Sequence, residues 1–220
     1  MKKHQILLGF IVAAMVLTSC NKDKEEAYYQ TIGVLSKSVD SMIIETDDSM
    51  RLLVANASEI DASFKDNDRV FVYFSLNEGT IPQGIDHVID IYSMEKLLFK
   101  PVIELTADIT DSIGNDPMWI REIWIAKDYL NVNFQLYINN GKHYINLIRF
   151  PGEIPVDTIN LEIRHNDNGD QENYLTSGFA SFDLELLRNT QVDSVVLRIT
   201  AKEYENRTYE KFITYHYSLN

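Results

Sequence analysis

Apolar and polar side chains alternate through the second half of the chain with the period of a β-strand. The clearest stretch places apolar residues at every second position: Leu130, Val132, Phe134, Leu136 and Ile138. Such alternation is typical of strands with one dry and one wet face. Similar stretches begin at Ile159, Ala180, Val195 and Tyr209, and residues 119–126 and 142–150 are also apolar. These seven strands in residues 117–220 predict an immunoglobulin-like β-sandwich domain, with a tight turn at residues 139–141.

The pattern of residues 29–112 also predicts short strands, but these strands do not each have one polar face. Residues 70–76 are β-branched or aromatic on both faces, which is typical of a buried strand. The polar turn Thr46-Asp47-Asp48-Ser49 separates two apolar stretches and predicts a hairpin. Pro101 cannot donate a hydrogen bond to a neighbouring strand, so we expect it at a sheet edge or a bulge. About five strands in this span predict a small barrel of the OB type, and the whole fold is predicted to be all-β.

The predicted boundary between the two domains lies at residues 111–117. This segment gathers Asp, Ser, Gly, Asn and Pro in one place, which marks a loop. Residues 20–28 are charged and lack apolar periodicity, so we expect a tether there. The expected division is therefore 1–19 signal peptide, 20–28 lipidated tether, 29–112 barrel and 117–220 sandwich.

The first twenty residues predict export and covalent attachment to a membrane. Lys2 and Lys3 precede an apolar run over residues 6–17, which is the pattern of a secretory signal and is too short to span a bilayer. The sequence Leu17-Thr18-Ser19-Cys20 resembles the bacterial lipobox, which implies acylation of Cys20 and cleavage before it. We expect an outer-membrane lipoprotein, facing either the periplasm or the cell surface.

The charge of the chain narrows the expected partners. The formal net charge is -13, and removal of Lys2 and Lys3 with the signal makes the mature chain more acidic still. Nucleic acids and anionic lipid surfaces are bound mainly through Lys and Arg, so we expect no nucleic-acid partner. The membrane partner is expected through the lipid anchor, alongside a glycan or an envelope protein.

Motifs of known chemistry are missing from the sequence. It contains no G-x-S-x-G, H-E-x-x-H, C-x-x-C or glycine-rich phosphate loop. His87, His143, His165 and His216 are far apart in sequence, and Trp119 and Trp124 are typical of core residues. We therefore expect no enzyme activity, no catalytic residue, no cofactor and no metal site. One alternative stays open, because residues 166–172 are rich in the oxygen ligands that Ca²⁺ prefers, although their spacing suits a solvated loop better.

An Asp-Ser/Thr-apolar pattern occurs five times, more often than ordinary composition would give. The hydroxyl residues are Ser41, Ser49, Ser112, Thr158 and Ser194. The pattern resembles an O-glycosylation acceptor of exported bacterial proteins. Asp-Ser and Asp-Thr pairs are also favoured at turns, which would explain the same positions without any modification.

Several segments together resemble the NigD-like lipoprotein family. They are residues 31–34, 64–70, 91–102, 111–117 and 129–134. The resemblance implies an N-terminal OB domain and a C-terminal β-sandwich domain, and it brings no catalytic residues. We expect a non-catalytic binding or scaffold module of the cell envelope. The alternative is an envelope protein that protects against a toxin such as a bacteriocin, or assists assembly, by protein contact.

Overall fold

The computed structural model describes residues 27–152, 158–189 and 191–217, and it is all-β with a closed barrel followed by a sandwich. Both parts of the predicted fold class are confirmed. Predicted segments 1–19 and 20–28, including Cys20, lie outside the described residues except for the last two positions. Among the described residues, no helix is long and apolar enough to cross a membrane.

The barrel contains five strands in the order β1-β2-β3-β5-β4, closed by pairing of β4 with β1. Their bounds are β1 Tyr28–Lys37, β2 Met42–Thr46, β3 Arg51–Val54, β4 Arg69–Leu76 and β5 His87–Lys96. All neighbours are antiparallel except β3 and β5, which is the strand arrangement of an OB fold. The predicted hairpin at residues 46–49 joins β2 to β3. The interior is filled by side chains from all five strands, among them Leu35, Ile44, Leu52, Val70, Val72, Phe74 and Ile89.

One residue, Leu97, separates the last barrel strand from the first sandwich strand. β6 Leu98–Pro101 pairs in parallel with β12, and β7 Ile103–Glu104 pairs in parallel with β10. The predicted division had assigned both segments to the barrel. Their pairing partners lie more than 40 residues away in sequence, and local composition carries no information about such partners. Pro101 lies on an edge strand, as predicted.

The sandwich is formed by two sheets of mixed strand direction. One has the order β14-β13-β11-β10-β7 and the other β6-β12-β9-β8. The remaining bounds are β8 Trp119–Ala126, β9 Tyr129–Ile138, β10 Tyr144–Arg149, β11 Thr158–Asn166, β12 Tyr174–Asp183, β13 Ser194–Lys202 and β14 Thr208–His216, with a helical turn α1 at Thr110–Ile113. The seven strands expected beyond residue 117 are all present. Three strand pairs are parallel, because the chain repeatedly crosses between sheets.

The segment Asn139-Asn140-Gly141 is one such crossing. The tight turn expected there would join two paired strands, but β9 and β10 belong to different sheets. The core between the sheets is apolar and includes Leu130, Val132, Leu147, Leu161, Ala180, Phe182, Leu197 and Ile199. The period-2 stripes identified in the sequence therefore point inward.

Candidate functional site

A buried arginine joins the barrel to the sandwich. Arg69, at the start of β4, is only 3% exposed. Its guanidinium donates two hydrogen bonds to the carboxylate of Asp47, at N–O distances of 2.7 and 3.1 Å. It also donates to Asn131 Oδ1 at 2.7 Å and to Ser181 Oγ at 3.3 Å. The Cζ atom of the Arg69 guanidinium lies 4.5 Å from the centre of the Tyr129 ring. The charge of Arg69 and its N–H donors therefore have partners in both domains.

The acid that pairs with Arg69 comes from the hairpin turn between β2 and β3. Asp47 also accepts hydrogen bonds from Trp124 Nε1 at 3.2 Å and Asn131 Nδ2 at 3.0 Å. Beside this polar group, Phe71 stacks on Phe179 with ring centres 5.3 Å apart. We call these contacts, from Asp47, Arg69 and Phe71 to Trp124, Asn131, Phe179 and Ser181, the seam. Because the seam is buried and the linker is one residue, the two domains form a single body.

Beyond the seam, part of the outer face of the four-stranded sheet is left uncovered. Arg121 Nε donates to Gln135 Oε1 at 2.7 Å, and Gln135 Nε2 donates to Ser177 Oγ at 2.9 Å. The Arg121 guanidinium lies 5.6 Å from the centre of the Trp119 ring. We call Trp119, Arg121, Gln135, Tyr137, Ser177 and Tyr204 the outer-face cluster.

The aromatic members of the outer-face cluster pack tightly on one another. The rings of Trp119 and Tyr204 are 4.4 Å apart, and Tyr137 is 5.5 Å from Tyr204. Burial raises the pKa of Tyr204 above its ordinary value of 10.0, so its hydroxyl stays neutral at physiological pH. The aromatic rings are thus held in place beneath an exposed arginine, a combination that protein-binding surfaces favour.

Strand β8 contains a bulge at Arg121. The register of β8 against β9 shifts between Ile120 and Glu122, so Arg121 is the extra residue. Sequence reasoning missed the cluster because its members come from β8, β9, β12 and the turn after β13, and they meet only through strand pairing.

Two histidines that are far apart in sequence meet in the sandwich. His143 Nδ1 lies 2.8 Å from His165 Nε2, His143 Nε2 lies 3.1 Å from Asp170 Oδ2, and His165 Nδ1 lies 3.1 Å from the carbonyl of Pro117. The carbonyl and the carboxylate accept only, so both outer nitrogens donate. In the central contact one of the two facing nitrogens donates to the other.

The surroundings of the pair shift the pKa values of His165 and Asp170. Burial lowers the pKa of His165, although the nearby acids Asp116 and Asp167 act in the opposite direction. The backbone N–H of Asn139 and the His143 ring donate to Asp170 and hold the pKa of that carboxyl well below its usual range. Asp170 is therefore ionised at neutral pH and accepts from His143 Nε2. His87 and His216 lie apart from this pair, at the start of β5 and the end of β14.

The oxygen-rich loop at residues 166–172, for which calcium binding was the open alternative, uses its carboxylates in hydrogen bonds within the protein. Asp170 accepts from the backbone N–H of Asn139 at 2.7 Å, and Asp167 accepts from that of Gly169 at 2.7 Å. Among the residues described, no group of three or more His, Cys, Asp or Glu side chains could hold a metal ion. Trp119 and Trp124 are both half-buried on the outer face of the sheet, not in the core as the sequence suggested.

The five Asp-Ser/Thr positions all lie at turns or the ends of strands. Ser49 and Ser112 are exposed, whereas Ser41, Thr158 and Ser194 are half-buried. Ser49 has a positive φ of 69° in the β2–β3 turn, and Ser112 donates to the carbonyl of Ile109 in α1. Local backbone geometry accounts for these residues, and their glycosylation stays a prediction.

A known family model covers the part of the chain that forms the sandwich. The model of the NigD-like C-terminal beta sandwich domain matches residues 101–215. No curated protein matches the chain in sequence.

Three solved structures are similar over nearly their whole length. One is a NigD-like immunity protein from Bacteroides caccae, with a TM-score of 0.64, 18% identity, and coverage of 89% of this chain and 99% of that one. A second, from Parabacteroides distasonis, is provisionally named toxin-related and has a TM-score of 0.72, 24% identity, and coverage of 86% and 94%. A third, from Bacteroides fragilis, is provisionally named a lipoprotein, with a TM-score of 0.67, 11% identity, and coverage of 88% and 99%. At these identities the likeness shows a shared fold.

Proposed function

Because the chain belongs to the NigD-like family, we propose that it is a non-catalytic lipoprotein of the bacterial outer membrane that binds another protein through the outer-face cluster. Its role would be protective, of the immunity type. The structural relative from Bacteroides caccae that carries the name immunity protein supports this role. The lipoprotein name of the Bacteroides fragilis relative supports the predicted anchor at Cys20.

The observation that carries the proposal is the composition of the outer-face cluster. Trp, Tyr and Arg are the residues that most often dominate the energy of protein–protein binding. Here they lie on a rigid sheet, next to the polar groups of Gln135 and Ser177, and Arg121 is exposed. The rings pack on one another within the sandwich, so the surface is formed before a partner arrives and little ordering is needed on binding.

Site-specific photocrosslinking in intact cell envelopes tests this binding surface. A photoreactive residue at exposed Ser177 should give an adduct with one discrete protein, whereas the same residue at exposed Thr214, on the other sheet, should not. Arg121→Ala should reduce the adduct at least about 5-fold, since a central arginine typically contributes more than 1 kcal/mol. Equal adducts at both positions, or an adduct indifferent to Arg121→Ala, would contradict the proposal. If the protein binds a glycan array and this binding depends on the same cluster, the partner is a glycan and not a protein.

The anchor is tested separately from the binding surface. Cys20→Ser should release the protein from the membrane fraction or block its maturation, because two or more acyl chains on Cys20 supply the attachment. Unchanged membrane fractionation of that variant would remove the anchor from the proposal. Protease treatment of whole cells then distinguishes the cell surface, where the protein is cut, from the periplasm, where it is protected.

A further inference from the structure

Exposed apolar side chains are concentrated at the end of the barrel where β1 begins. Tyr28 and Tyr29 are 45% and 43% exposed, Leu76 at the end of β4 is 45% exposed, and Tyr92 on β5 is 51% exposed. Ile81, on the loop after β4, is 52% exposed. Tyr28 pairs with Ser75 across β1 and β4, so the two strand ends lie side by side. We call these five residues the tether-end patch.

The tyrosines of this patch are packed into a fixed arrangement. The ring of Tyr28 stacks on Tyr73 at 5.3 Å and meets Tyr92 edge-on at 5.1 Å. Tyr29 stacks on Phe74, a residue of the barrel core, at 5.7 Å. A rigid group of tyrosines with apolar bodies and polar tips is suited to the boundary between hydrocarbon and water.

The position of the patch along the chain indicates what covers it. Tyr28 lies eight residues after Cys20, and eight residues reach at most about 28 Å. A lipid on Cys20 would therefore hold the patch within that distance of the bilayer. Such a short tether gives an effective concentration in the millimolar range, so even weak attraction to the surface is sufficient for contact.

The charges around the patch restrict the kind of surface. In sequence, the acids Glu78, Asp86 and Asp90 lie close to residues of the patch, and the whole chain has a net charge of -13. An anionic lipid surface would repel this end of the barrel, whereas a zwitterionic one would not. We propose that the tether-end patch docks on the zwitterionic headgroup layer of the membrane that holds the anchor. The proposal rests on acylation of Cys20, but not on any partner of the outer-face cluster.

Fluorescence of the lipidated protein in vesicles tests the docking. Cys20 is the only cysteine, so Ile81→Cys supplies a single free thiol for an environment-sensitive dye once Cys20 is acylated. In phosphatidylcholine vesicles the dye at position 81 should shift to the blue and be quenched several-fold more by nitroxide lipids than a dye at Leu186→Cys. Leu186 is 75% exposed in the sandwich and serves as the matched position. Vesicles rich in phosphatidylglycerol should weaken the shift.

Substitution of the tyrosines separates docking from mere proximity. Tyr28→Ser with Tyr92→Ser should abolish the shift at position 81, whereas Tyr174→Ser, at a 67% exposed tyrosine of the sandwich, should leave it unchanged. Circular dichroism checks the fold of the double variant, and Leu76→Ser tests the patch without touching the tyrosine stack.

Three outcomes would overturn the proposal. They are equal, water-like emission at positions 81 and 186, a shift without nitroxide quenching, and a shift that vanishes on dilution of the protein in the vesicles. The last two identify a protein contact, with a partner or a second copy, in place of the lipid. The mass of the purified protein reports acylation independently, so a missing anchor is distinguished from a patch that does not dock.

Discussion

At the scale of single residues, Arg69 is the side chain on which the junction of the two domains depends most. Truncation to Ala would leave the carboxylate of Asp47 without its cation, although Trp124 and Asn131 would still donate to it. Breaking a buried ion pair from one side typically costs about 3–5 kcal/mol, so we expect Arg69→Ala to lower the free energy of unfolding by that amount. Denaturant unfolding measures it.

The matched control for Arg69 is an ion pair on the surface. Arg207 pairs with Glu205 at 3.3 Å, and both side chains are more than half exposed. Solvent screens such a pair, so Arg207→Ala should cost less than about 1 kcal/mol. Similar losses in the two variants would show that the seam contributes no more than a surface contact.

His165 makes stability depend on pH in a defined direction. Its pKa is lowered in the folded protein, whereas the unfolded chain takes up the proton near the ordinary value of 6.5. The stability that is present above about pH 6.5 should therefore be lost as the pH falls toward the folded-state pKa. The slope contributed by one proton is at most about 1.4 kcal/mol per pH unit.

Comparison of variants isolates this contribution from that of the many carboxylates. Unfolding by urea between pH 7.5 and pH 5 should show a shallower decline for His165→Gln than for the unaltered protein. His216→Gln, at an exposed histidine at the end of β14, should keep the original decline. An unchanged slope in His165→Gln would show that His165 contributes nothing to this pH dependence.

At the scale of the element, Gly33 allows β1 and β2 to approach closely. A Cβ at this position would lie 2.6 Å from the carbonyl oxygen of Glu45 and 2.7 Å from the Cγ2 atom of Ile44. Gly33→Ala should destabilise the barrel by about 1–3 kcal/mol, the usual cost of overpacking, and Gly33→Val by more. Ser36→Ala, at an exposed position of the same strand, should stay within about 0.5 kcal/mol in the same thermal or urea unfolding measurement.

The elements also show how far the sequence predicts this protein. Alternation located β9, β11, β12 and β13 because each buries one face and exposes the other. It could not pair them, since pairing depends on contacts between distant residues. The Gly- and Pro-rich segment 111–117 was interpreted as a domain boundary, but it forms a helical turn and a loop beside β11, within the sandwich. The real junction, at Leu97, has no compositional signal at all.

The same limit explains what was missed in the candidate sites. Arg69, Asp47, Trp124 and Asn131 come from four separate elements, and none belongs to a motif of known chemistry. His143 and His165 lie on either side of β10, so their meeting follows from the pairing of β10 with β11. The side-chain partners of Arg69 and of the two histidines became visible only with the fold.

At the scale of the whole molecule, the seam and the one-residue linker should make the two domains unfold together. Calorimetry of the unaltered protein should show one transition, with calorimetric and van't Hoff enthalpies equal. Insertion of Gly-Ser-Gly after Leu97 lengthens the linker but leaves every seam contact possible, so a single transition should persist. Adding Arg69→Ala and Phe71→Ala to that insertion removes the polar and the aromatic part of the seam, and the transition should then split into two. Two transitions in the unaltered protein would mean that the barrel and the sandwich are stable separately. In that case the seam would not couple the two domains.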